Sequence, residues 1–171
     1  MEDLELDKIE FNPKVLGSYF ENNVREMCKS CKRYNISSSC PPHIETIEYY
    51  KELLPTYCNG VLFIKKFIIN DIKNWQELGR NSSEELRIEM KPFIDGCIYE
   101  GCDEYDYYGA GSCKNCIKCS YPCKFPNKQL IPIEGTGINV IKLVKDLANI
   151  DIKFPVENYG YFYRVGLILW D

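Results

Sequence analysis

The chain has 171 residues, enough to bury a core of its own without covalent staples. Its formal charge of −4, with 21 basic residues scattered among 25 acidic ones and no basic run, offers no electrostatic footprint for nucleic acid. Ten cysteines, roughly 6% of the chain, lie above ordinary usage yet below the disulfide-scaffold range, and they are clustered.

The opening "MEDLELDKIEFNPK" is acidic and lacks an apolar stretch long enough for a signal peptide or anchor, so a cytoplasmic location without a membrane partner is expected. Asn12 as N-cap with Pro13 in the first turn predicts a helix carrying Val15, Leu16, Tyr19, Phe20 and Val24 on one side, running to the first Cys-x2-Cys pair. A second helix is expected directly after Cys40, with Pro42 in its first turn, Ile44, Ile47, Tyr50 and Leu54 on one face, and Pro55 at its end. The apolar, β-branched run 61–69 predicts a buried strand. Ser82 and Glu85 form a capping-box pattern ahead of a stripe of Leu86, Met90, Phe93, Ile94, Cys97 and Ile98, which Pro92 is expected to kink or divide. "YDYY" at 105–108 reads as a short strand entering a cysteine loop. After that loop, "EGTGIN" opens a helix through Val140, Val144 and Leu147, and 161–170 is the strongest strand in the chain. These elements predict one α+β domain with a small sheet containing 61–69 and 161–170, flanking helices, and the cysteine loops on one side.

The chemistry lies in "GSCKNCIKCSYPCKFP". Cys113, Cys116, Cys119 and Cys123 follow the spacing of a bacterial ferredoxin run, in which three thiolates wrap one cubane and the fourth serves a neighbour. Pro126 stands three positions after Cys123 rather than directly after it. Thiols this close together in a reducing cytosol ligate metals or do redox chemistry rather than form disulfides. The head group "CKSCKRYNISSSCPPH" adds Cys28, Cys31 and Cys40, and a helix starting after Cys40 would favour its thiolate. Zinc stays open as the alternative metal: Cys28/Cys31 and Cys113/Cys116 would make a tetrahedral site, with Cys119 and Cys123 left over. Cys97 reads as core, Cys58 and Cys102 as candidate eighth ligands, and His43 as a polar first-turn residue rather than a ligand.

Four stretches, "CKSCKRYNISSSCPPH", "GAGSCKNCIKCSYPCKFP", "IPIEGTGINVIKLV" and "GLILWD", together resemble domain-of-unknown-function family 2284, described as predicted metal-binding proteins of anaerobic bacteria and archaea. The resemblance covers nearly the whole chain. It implies Cys28, Cys31, Cys40, Cys113, Cys116, Cys119 and Cys123 as metal ligands, and it implies no reaction or substrate. Ferredoxin logic further places Cys123 beside Cys28 and Cys31, with Cys40 completing the set of Cys113, Cys116 and Cys119. The expectation is an iron–sulfur protein with one or two 4Fe–4S clusters, passing electrons to a redox partner protein rather than acting as an enzyme alone. A zinc-stabilised interaction module and a metal or cluster chaperone are the alternatives, and oligomeric state is left undetermined by the sequence.

Overall fold

A computed structural model describes residues 4–69, 75–102 and 104–171. Its centre is an antiparallel pair of ten-residue strands, β2 (Asn59–Ile68) and β5 (Tyr161–Trp170), where the two apolar runs lie. β1 (Leu6–Phe11) pairs with the outer side of β2. β3 (Tyr105–Gly109) pairs with β5, and the two-residue β4 (Ile131–Pro132) runs parallel to β3, so the order is β1-β2-β5-β3-β4.

The central strands are apolar along their whole length because both sheet faces are covered. On one face Leu62, Ile64, Val165, Leu167 and Leu169 pack with Leu16, Leu54, Leu143 and Val144. These partners belong to the 3-10 helix Pro13–Ser18, the turn after α2 (Ile47–Leu53), and α4 (Val140–Ala148). On the other face Val61, Phe63 and Ile168 meet Leu86, Met90 and Cys97 of α3 (Trp75–Glu100). Burying each large side chain stabilises the fold by about 1.5–3 kcal/mol. The α+β class and the two main strands are therefore as expected. Among the described residues no helix is long and apolar enough to cross a membrane.

Four local expectations change, each through a tertiary contact. The first helix is not continuous. Asn12 does cap the 3-10 turn, accepting from the Lys14 amide at 3.0 Å, but the backbone then leaves helical geometry before α1 (Asn22–Met27). Tyr19 O accepts from Asn139 N at 2.8 Å and Glu21 N donates to Gly137 O at 2.9 Å, so this stretch pairs with another segment instead of with itself. The second helix begins at Ile47 with Thr46 as its cap, well after Cys40, because residues 31–46 fold into successive turns. α3 starts before Ser82, since Leu78 already packs against Phe67 and Phe162. Ser82 is thus a buried helical residue rather than a cap, and Pro92 sits inside α3 without dividing it. β1 has no counterpart in the sequence reading: it is a charged edge strand, the kind that resists further pairing.

Three tyrosines hold the sheet to its first layer. Tyr57 and Tyr108 both donate to Asp106 Oδ2, at 2.9 and 3.1 Å, and Tyr50 packs edge-on against Tyr108. Burial raises all three phenols, with Asp106 adding to the effect at Tyr57 and Tyr108, and Tyr50 is pushed up to about 12. A folded pKa above the unfolded value of about 10 gives stability that is complete below pH about 10 and lost as pH rises through the folded value. Urea midpoints should therefore hold up to about pH 10 and fall between about pH 10 and about pH 12, and Tyr108→Phe should shrink that fall. An unchanged pH slope in the variant would place the effect elsewhere.

Candidate metal centre

Two loops carry the predicted ligands. The head loop leaves α1 through a 3-10 turn at Cys28–Ser30, where Cys31 N donates to Cys28 O at 3.0 Å and Arg33 N points at Cys31 Sγ at 3.5 Å. It then turns at Asn35 (φ 59°), and Cys40 N donates to Ser37 O at 3.1 Å. The tail loop leaves β3 through Gly111 (φ 73°), a left-handed position that suits glycine, and ends in the 3-10 turn Pro126–Lys128.

The two loops meet through a buried triplet, Ser37, Ser38 and Ser39, each at most 3% exposed. Ser38 N donates to Cys119 Sγ at 3.3 Å, with Ser38 Oγ 3.4 Å and Ser37 Oγ 3.9 Å from the same sulfur. Cys113 N donates to Ser39 Oγ at 3.0 Å, and Gln129 Nε2 donates to Ser38 O at 2.6 Å. The His43 ring stacks on Tyr121 of the tail at 3.9 Å between centroids. His43 is therefore an inter-loop packing residue on a turn, not a first-turn helical one. Sequence reading passed over the serine triplet; three consecutive hydroxyls directly before Cys40-Pro41-Pro42 were its only signal.

These contacts prepare individual thiols differently. The Ser38 hydroxyl and amide hold Cys119 below the ordinary thiol range, so its thiolate is favoured. Burial raises Cys40, opposed by the Ser39 and Ser37 hydroxyls, which corrects the expected helix-dipole effect: α2 begins too far away to act. Burial raises Cys28 as well, followed by the nearby Cys40, Glu134 and Cys31, while Arg25 acts the other way. Arg25 donates to Ile44 O at 3.4 Å through Nη2, and its buried Nη1 has no hydrogen-bond partner among the described residues.

Cys119 is a tail thiol in hydrogen-bond contact with the head loop. Among the described residues no three His, Cys, Asp or Glu side chains stand close enough together to hold a metal ion as drawn. The donor set nonetheless fits a thiolate-ligated metal: seven cysteines on two docked loops, amides aimed at Cys31 and Cys119 sulfurs, and an Arg25 cation that acts on Cys28 and whose buried Nη1 has no hydrogen-bond partner among the described residues. Cys97 lies in the α3 core with Cys102 packed beside it and Trp170 in the same cluster. Cys58 N donates to Asp171 Oδ1. Tyr105 pairs with Trp170 at the start of β3, whereas the tail loop departs from the other end, about 13 Å away along the strand. Cys58 therefore lies at the end of the sheet opposite to the one from which the tail loop departs.

Two cavities border the centre. One, of about 560 Å³, is lined mainly by apolar side chains including Met27, Ile138, Phe154 and Phe162, with Glu134 and Arg164 among its polar groups. Water reaches the Glu134 side chain through the cavity while protein crowds it elsewhere, and this desolvation raises its carboxyl. The other, of about 910 Å³, is bordered by Cys113, Cys116 and Cys119, and Arg164 also lines it.

No curated protein and no solved structure shows significant similarity to this chain. A family model does. Residues 18–170, which hold both cysteine loops and the whole sheet except β1, match the model described as "Predicted metal-binding protein (DUF2284)", and the chain therefore belongs to that family of predicted metal-binding proteins.

Proposed function

We propose that the protein is an iron–sulfur protein holding one or two 4Fe–4S clusters on Cys28, Cys31, Cys40, Cys113, Cys116, Cys119 and Cys123, and that it passes electrons to a partner protein. The observation that carries this reading is the serine-mediated docking of a ferredoxin-spaced tail onto the head cysteines, with backbone amides pointed at two of the sulfurs. A bound cluster would supply one-electron chemistry. The chain supplies the thiolates, the amide and hydroxyl donors that favour added negative charge near Cys119, and the Arg25 cation near Cys28. Ile36 and Ile117, both well exposed, flank the tail thiols and give a partner apolar surface to rest on. Cys113-x2-Cys116-x2-Cys119 favours a cubane over zinc, because a zinc knuckle needs only two of these thiols.

Protein purified without oxygen is expected to be brown, with iron and acid-labile sulfide in equal amounts and a visible band bleached by dithionite. A colourless protein with stoichiometric zinc would overturn the reading in favour of a zinc-stabilised module. Quantitative transfer of the cluster to an apo-acceptor would instead support a chaperone.

A further inference from the structure

The larger cavity beside the tail cysteines is lined by five cationic side chains from four separate segments. Lys32 and Arg33 come from the head loop, Arg80 from α3, Lys114 from the tail loop and Arg164 from β5, and no acidic residue lines the cavity. The whole chain is acidic, so this concentration runs against its overall charge. Among the described residues none of the five forms an ion pair, and the carboxylate that acts on Arg164, Glu134, lines the neighbouring cavity instead. Two of them are held in place from behind. Arg164 donates through Nε to Ser82 Oγ at 3.0 Å and through Nη2 to Gly79 O at 3.2 Å, and Lys114 Nζ donates to Gly79 O at 3.3 Å. Gly79 allows this approach, since a Cβ there would lie 3.3 Å from Arg164 Nη2.

A cleft lined by one sign of charge focuses the field and concentrates ligands of the opposite sign. Guanidinium forks pair with carboxylate and phosphate in bidentate fashion, whereas lysines act as point charges. The cavity, about 910 Å³, is of small-molecule size. We propose that it binds a compact, multiply charged oxyanion, a phosphorylated or polycarboxylated small molecule, against Arg33, Arg80 and Arg164 and next to the tail thiols. The site is built from cationic side chains and stands whether the neighbouring metal is iron or zinc.

The test is calorimetric titration of the anaerobically purified, metal-loaded protein at low ionic strength with inorganic pyrophosphate and, separately, citrate. Saturable 1:1 binding of one or both is expected, weakening as sodium chloride is added. Preference for pyrophosphate would identify a phosphorylated ligand, and preference for citrate a polycarboxylate. Arg80 is exposed on α3 and is none of the cysteine ligands, so Arg80→Gln should leave fold and metal content unchanged while weakening binding about tenfold or more. Arg80→Lys should fall between the two. Absence of saturable binding of either anion, or binding unaffected by Arg80→Gln, would overturn the proposal. So would binding that appears only after the metal is removed, because the cations would then serve the metal centre. Metal and sulfide analysis of the same sample tests the iron–sulfur reading separately.

Discussion

Under the proposed iron–sulfur reading, Cys116→Ser is expected to strip most of the iron, sulfide and visible absorption from the protein while Cys97→Ala leaves them in place. A hydroxyl is a far poorer iron ligand than a thiolate, and Cys116 is the middle thiol of the ferredoxin-spaced run, bordering the cavity that faces the head loop. Cys97 is buried among Phe63, Leu86, Met90 and Ile168, and burial together with its neighbour Cys102 raises its pKa, which keeps it a neutral thiol. Its truncation should therefore cost only packing, about 1 kcal/mol. Metal and sulfide content per chain, measured beside a urea unfolding curve, separates the two variants. Full metal in Cys116→Ser would remove the tail loop from the site, and loss of metal with normal stability in Cys97→Ala would bring that thiol into it.

Gly166→Val is expected to cost the fold a large part of its stability by overpacking. Gly166 lies in β5, opposite Phe63 of β2, at the point where α3 crosses the sheet. A Cβ at this position would collide with Met90 Sδ and stand 2.9 Å from its Cε, and Met90 is itself only 2% exposed, so its side chain has little room to retreat. Overpacking of this kind costs about 1–3 kcal/mol and sometimes more. Met90→Ala alone should cost about 2–5 kcal/mol through the cavity it leaves. In the pair Gly166→Ala and Met90→Ala, the new methyl occupies part of that cavity, so the double variant should lose less than the sum of the two single losses. Strict additivity in urea midpoints would show that α3 shifts bodily instead of holding this contact.

The sequence by itself determined the class of the fold and which cysteines are candidate ligands. β2 and β5 were legible because strands covered on both faces are continuous apolar runs, and that pattern is local. The tail motif was legible for a similar reason: Cys113, Cys116, Cys119 and Cys123 are close in sequence, so their spacing alone marks them as candidate metal ligands. What only the tertiary structure decided is every feature made by residues far apart in the chain. The head loop was expected to become helix after Cys40. It remains a string of turns because Ser37–Ser39 are held by Cys113, Cys119 and Gln129, some 74 to 91 residues away. Ser82 carries a helix-start pattern, yet its hydroxyl accepts from Arg164 because Leu78 extends α3 backward onto the sheet. The five cations of the anion cavity follow no motif, since head loop, α3, tail loop and β5 each contribute to it and only the packed sheet brings those segments to one place. Local periodicity records which face of an element is buried. It carries no term for which distant hydrogen-bonding groups or charges meet that face, and those meetings are what shape the candidate centre.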